Sequence, residues 1–305
     1  MKNKILLFIV FILTIIEVIS LKFKNQTNFS LPKKEELVKI NIKNTKTNNI
    51  SEEELEDYIV GVVGAEMPAS FAEEALKAQA VASRTYALYK IKHSNKEYDV
   101  VTDVSNQSYQ TLDELRNKWG KDFELYYNKV KGAVISTKDE IMTYNDEVII
   151  AYYFAMSNGY TEDGSLVFNE EKPYLKSAKS LWEDESLKNF TVQKKYSKKE
   201  FANLLGVGED VSITDIKRSP TNRVISLKIN NQEFSGTTIR KKLSLRSTDM
   251  DFKIDKENII VTTKGYGHGV GMSQYGANLM AKEGYNYKDI LKHYYEGTKL
   301  SKIRV

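Results

Sequence analysis

The sequence contains no cysteine. Its absence removes disulfides, thiolate nucleophiles, iron–sulfur clusters, cysteine-ligated zinc and a lipid-modified cysteine anchor. Histidine occurs only at His93, His268 and His293, a scattered and poor zinc set, so no metal and no cofactor is expected. With four prolines and 16 glycines in 305 residues, the chain is neither collagen-like nor low in complexity. A charged fraction of 28% against 41% hydrophobic residues excludes a chain too polar to fold. A strongly basic folded surface is lacking too. The net charge of +4 is concentrated in residues 1–50, where nine lysines face Glu17, Glu35 and Glu36, leaving the remainder near −2. Nucleic acid is therefore not an expected partner.

There is one long apolar run. Lys2 and Lys4 precede Ile5–Leu21, 17 residues broken mainly by Thr14 and Glu17, and Lys22 and Lys24 follow. That length sits at the short edge of a bilayer span. Residues 1–24 read as a signal-anchor with a cytoplasmic N-terminus, or as a cleaved signal peptide. Either way the body lies outside the cytoplasm. Residues 25–50 are rich in Asn, Lys and Thr and read as a basic tether, with 37–42 as short-strand material. The folded body is expected over 51–305.

Two capping boxes open that body. Ser51 with Glu54 predicts a helix over 52–66, and Ser70 with Glu73 a helix over 71–91. In the first, Leu55, Ile59, Val62, Val63 and Glu66 fall on one face, and Met67-Pro68 ends it. Glu66 thus closes an apolar stripe beside a helix C-terminus, where burial and the helix dipole raise a carboxylate's pKa. That suits a general acid, while a solvated glutamate at a frayed helix end fits the same pattern. The second helix is rich in alanine, with Gln79 and Arg84 as its polar exceptions.

Further along, 98–110 reads as strand and loop, 123–135 as a helix, and 141–144 and 147–155 as strands. The polar run Ser157-Asn158-Gly159-Tyr160-Thr161-Glu162 fits a binding loop or an ordinary turn equally well. Short strands at 223–230, 232–236 and 258–263, with helices at 197–205 and 237–243, suggest a β-rich subdomain over about 191–263. The expected fold class is α+β, with helices flanking mixed and antiparallel sheets. In Lys264–Ala277, Gly265, Gly267, Gly269 and Gly271 alternate, a pattern that permits positive φ and close ligand approach. The spacing fits neither a dinucleotide fingerprint nor a nucleophile elbow. His268 and Ser273 could pair for proton transfer, or His268 could brace a tight turn. A last helix is expected over 287–296, carrying His293.

The segment Tyr58–Phe71 (YIVGVVGAEMPASF), its continuation Glu74–Ala87 (EALKAQAVASRTYA), the block Gly265–Ala277 (GYGHGVGMSQYGA) and His293–Thr298 (HYYEGT) together resemble the stage II sporulation protein D family, which is related to amidase enhancers. The resemblance implies a lytic transglycosylase that cuts peptidoglycan glycan strands stripped of stem peptides during engulfment. It implies a cell-wall amidase and a membrane protein of the engulfment machinery as partners. By resemblance Glu66 is the single catalytic residue, protonating the bridging oxygen and then taking the muramyl C6 hydroxyl proton. Gln79, Arg84, His268, Ser273, Gln274 and Tyr275 are the substrate-positioning candidates. The sequence departs from the family at Ser157-Asn158-Gly159-Tyr160, where Ser-Gly-Gly is common, and at Thr137-Lys138-Asp139, where a glycine is common. Residues 154–162 contain neither Cys nor His, so no metal site is expected there. Two rivals remain: a non-catalytic glycan-binding enhancer, and a hydrolase pairing Glu66 with Glu74 or Glu162.

Overall fold

A computed structural model describes residues 37–103, 105–169 and 171–303. The apolar segment expected over 1–24 lies outside them, as does the first part of the tether. Among the described residues no helix is long and apolar enough to cross a membrane.

Strand Lys39–Lys43 pairs antiparallel with Ile50–Glu54 and parallel with Val100–Val101. Its alternation buries Ile40 and Ile42 completely or nearly so. The region read as tether is thus structural from Lys39 onward. Ser51 pairs with Ile42 in this hairpin instead of capping a helix, and helix Leu55–Glu66 begins after Glu54. The helix is buried almost all round, not along one stripe, since Tyr58, Val60, Gly61 and Gly64 are covered as well. A cross-strand ladder competed with the local cap and won, because two isoleucines gain burial worth roughly 1.5–3 kcal/mol each.

Helix Glu73–His93 is the central element. It packs against helices Leu55–Glu66, Phe123–Ser136, Gln274–Lys282 and Tyr287–Tyr294. Ala75, Ala78, Ala80, Ala82 and Ala87 are fully buried, so their small size lets four neighbours close in. Its first turn carries no Ser70 cap, and Asn278 Oδ1 accepts the Ala72 N–H at 2.9 Å instead. Helix Leu112–Trp119, which the pattern reading passed over, starts at a genuine capping box between Thr111 and Glu114.

The expected strand over 147–155 is only two short pieces. Glu147–Val148 joins a sheet with Glu140–Tyr144 and Lys299–Lys302, while Tyr153–Phe154 runs parallel to Met272–Ser273. Between the pieces, Ile149, Ile150 and Ala151 are buried as irregular chain in the main core. Residues 190–264 carry a second apolar cluster around Phe201, Leu227, Ile239 and Val261. Two three-stranded antiparallel sheets build it: Met250–Ile254, Asn258–Lys264 and Thr191–Ser197, then Ile213–Arg218, Val224–Ile229 and Gln232–Ser235. The architecture is α+β with several small sheets.

Candidate active site

Glu66 is the last residue of its helix, and what surrounds it follows from two glycines. A Cβ at Gly61 would stand 2.5 Å from the Tyr109 ring, and one at Gly64 would stand 2.9 Å from Leu115. Bare backbone at these positions lets the 105–119 segment lie directly on the helix. Ser108 is thereby brought to Glu66, and its backbone N–H donates to Oε1 at 2.6 Å. The Ser108 hydroxyl and the Gln274 side chain also hydrogen-bond the carboxylate. Gln274 Nε2 donates to Gln79 Oε1 at 3.3 Å, and Gln79 Nε2 donates to Ser83 at 2.9 Å. Gln79 and Gln274, 195 residues apart, thus meet beside the carboxylate that Gln274 bonds.

Burial raises the pKa of Glu66, and the hydrogen bonds from Ser108 and Gln274 oppose it. The direction is the expected one, but desolvation carries it. Lys118 Nζ donates to the carbonyls of Gly64 at 2.8 Å and Ala65 at 3.3 Å, covering the negative helix end with a cation. Beneath the site, Tyr58 donates to Gln107 Oε1 at 3.2 Å and Gln107 Nε2 donates to the Tyr153 hydroxyl at 2.9 Å. Burial first, with the Glu66 charge in addition, keeps both phenols neutral. Ser108, Gln107 and Lys118 were not legible as site residues. Thr111-x-x-Glu114 was the available clue to the helix that carries Lys118.

The other candidates separate. Gln79 and Gln274 belong to the site. Tyr275 is half-buried, set edge-on to Phe71 with ring centroids 5.0 Å apart. Arg84 is fully buried, where its Nε and Nη2 each donate to Glu56 at 2.7 Å and its Nη1 and Nη2 reach the Glu140 and Val134 carbonyls. It is a core tie, with no free face for substrate. Ser273 caps helix Gln274–Lys282 and donates to Glu183 at 2.7 Å. Glu183 is a buried carboxylate that also accepts from Ser157 and Ser180, and burial raises its pKa. Through Ser273 it fixes the start of the helix whose first residue, Gln274, touches Glu66.

His268 and Ser273 do not pair. The Val270 N–H donates to His268 Nδ1 at 3.1 Å, and the ring is enclosed by Tyr152, Phe154 and Phe168. Burial, with Arg240 and Arg223 nearby, pushes its pKa down to about 3, so it is neutral and braces the turn. The glycines of this block make room for protein, not ligand. Gly269 has φ 90°, and a Cβ there would lie 2.7 Å from Arg223 Nε. Gly269→Val should therefore lower the melting temperature through strain of about 1–3 kcal/mol plus displacement of Arg223. A thermal melt matching wild type would show that the turn accepts a side chain.

The hydrolase alternatives are occupied elsewhere. Glu74 is paired with Lys77 and accepts the Tyr287 N–H, each at 2.8 Å. Glu162 accepts from Ser219, from Thr221 at 2.5 Å and from the Asp163 N–H at 3.0 Å. Neither contacts Glu66.

The stage II sporulation protein family model matches residues 43–144, the stretch that contains Glu66, Ser108 and Lys118. The chain is 42% identical over 273 residues to stage II sporulation protein D of Bacillus subtilis (strain 168), covering 87% of this chain and 79% of that protein. The chain belongs to the stage II sporulation protein D family. The Bacillus amyloliquefaciens family member is 40% identical over 276 residues, covering 88% of this chain and 80% of its own length. The amidase enhancer of Bacillus subtilis (strain 168) is 28% identical over 298 residues, covering 79% of this chain and 40% of that longer protein. The family is one of sporulation, and this more distant relative is named an amidase enhancer.

Proposed function

We propose that this protein is a peptidoglycan lytic transglycosylase acting during sporulation, with Glu66 as its acid and base. The observation that carries the reading is a solitary carboxylate. Glu66 accepts from the neutral donors Ser108 and Gln274, Lys118 acts on it electrostatically, and among the described residues no second carboxylate is hydrogen-bonded to it. Hydrolysis of a glycosidic bond normally needs two carboxyl groups, one of them to activate water or attack C1. Intramolecular transfer needs one. Protonated Glu66 gives its proton to the bridging oxygen as the bond from that oxygen to the muramyl C1 breaks. The C6 hydroxyl of the same sugar then bonds to C1, and its proton returns to Glu66. Burial favours the acid form that the first transfer needs. Ser108 N–H and Gln274 then hold the carboxylate in place during both transfers.

The same reading makes strands stripped of stem peptides the substrate, a cell-wall amidase and an engulfment membrane protein the partners, and residues 1–24 the membrane anchor. Mass spectrometry of products from purified glycan strands tests it. Non-reducing 1,6-anhydro-muramyl ends are expected. Reducing ends would identify a hydrolase, and intact strands bound without cleavage would identify an enhancer.

A further inference from the structure

A second site lies away from Glu66. Arg223 is 3% exposed, yet among the described residues its guanidinium pairs with no carboxylate. Only Nη2 is engaged, donating to Asn158 Oδ1 and to the Tyr160 carbonyl, each at 3.1 Å. Nε is buried without any acceptor. The three carboxylates that act on it electrostatically, Glu162, Asp249 and Glu183, are each hydrogen-bonded to neutral donors instead. Glu162 is held by Ser219, Thr221 and the Asp163 N–H, and Asp249 accepts from Asn158 and Asn222. Nε lies against the bare backbone of Gly269, so an acceptor in the cavity can be met only by the terminal nitrogens, of which Nη1 makes no hydrogen bond among the described residues.

Arg223 lines a cavity of about 270 Å³. Its lining includes the polar residues Glu162, Asn169, Ser235, Thr237 and Thr248 and the apolar residues Leu166, Val224 and Ile225. Leu166 and Ile225 are 45% and 40% exposed. Polar groups together with exposed apolar carbon match a sugar ring, which shows hydroxyls at its edge and C–H groups on its face. The cavity shares no residue with the Glu66 site. Tyr153 joins the network under Glu66, and its neighbour Phe154 packs against His268.

We infer that the cavity between residues 162–169 and 223–248 is an accessory N-acetylhexosamine site, in which an acceptor oxygen of the sugar meets Arg223. The inference rests on the glycan-cleaving reading and extends it: a strand cut at Glu66 would be retained by a second grip. Both sugars of a glycan strand offer an acetamido oxygen, and a muramyl unit freed of its peptide adds a carboxylate.

The test uses the full-length chain in a detergent without a sugar headgroup, with the Ile225 methyl as an NMR reporter. N-acetylglucosamine and N-acetylmuramic acid are titrated separately, with acetate as a control. A saturable Ile225 shift with either sugar is expected, and the stronger binder identifies the unit. Thr237→Trp, at an exposed position of the wall, should weaken that binding at least ten-fold without changing the melting temperature. Arg223→Gln should weaken it as well, and the Thr237 variant keeps the test decisive if Arg223→Gln misfolds. Absence of a sugar-dependent shift, an equal response to acetate, or unchanged affinity in Thr237→Trp would overturn the site. Anhydro products from the same preparation are measured alongside. Cleavage without an Ile225 shift removes only this site, whereas a shift without anhydro products supports it and removes the lyase reading.

Discussion

Glu66→Gln should abolish strand cleavage while leaving the fold and glycan binding intact. The amide keeps the shape and accepts the Ser108 N–H that now reaches Oε1 at 2.6 Å, but it can neither give up the proton nor take one back. Loss of general acid–base catalysis predicts a fall of about 10²–10⁴ in turnover. Two further readouts follow from the raised pKa. Wild-type activity should decline as pH rises through that pKa, because the first step needs the acid form. Stability should move in the same sense. A carboxyl whose pKa is higher folded than unfolded binds protons preferentially in the native state, so its contribution is complete below the unfolded pKa and lost as pH rises through the folded one. The glutamine variant should thus melt at or above wild type in mild alkali, with the difference closing on acidification. Near-wild-type release of anhydro products from Glu66→Gln would end the assignment.

Arg84→Ala should unfold the protein or nearly so. The guanidinium is completely buried, bidentate to Glu56 and bonded to two carbonyls. Removing one member of such a pair leaves an uncompensated carboxylate and costs about 3–5 kcal/mol, a large share of the ~5–15 kcal/mol that holds a domain folded. Denaturant melts should show the loss directly. Replacing both Arg84 and Glu56 with methionine should recover much of it, since the pair itself is replaceable by apolar packing. A stable Arg84→Ala protein that had lost only glycan affinity would return this arginine to the substrate.

The contrast between Glu66 and Arg84 shows what the sequence could disclose. Both stood out as polar residues in apolar helical surroundings. Periodicity put Glu66 on an apolar face but left a solvated helix end open, and it marked Arg84 only as a polar exception among alanines, without saying what either residue meets. For Glu66 the neighbours come from residue 108 and residue 274, placed by packing against Gly61 and by a Ser273 cap tied to Glu183. No local pattern encodes those distances. The central helix and the α+β class were within reach because helix period is a local signal, and the family motifs singled out Gln79 and Gln274 without saying that the two meet. The caps at Ser51 and Ser70 misled for a related reason. A short capping signature competes with tertiary contacts, and here a buried isoleucine ladder and Asn278 displaced it. The glycine block misled in a different way, since alternate glycines accommodate a ligand or a guanidinium equally well.

Strand Lys39–Lys43 has a mechanical consequence. It lies between Ile50–Glu54 and Val100–Val101, and its neighbour leads straight into the Glu66 helix, whose first N–H donates to the Val38 carbonyl at 2.8 Å. A pull applied through residue 38 therefore acts along the strand and loads two hydrogen-bonded ladders in shear, all bonds together. Peeling would break them one at a time at far lower force. A body held at its N-terminal end would carry tension into this seam of two ladders before reaching the Glu66 helix. Recombinant versions begun at Ser51 would lose that seam, and with it an edge that protects Glu52–Glu54 from pairing with another copy.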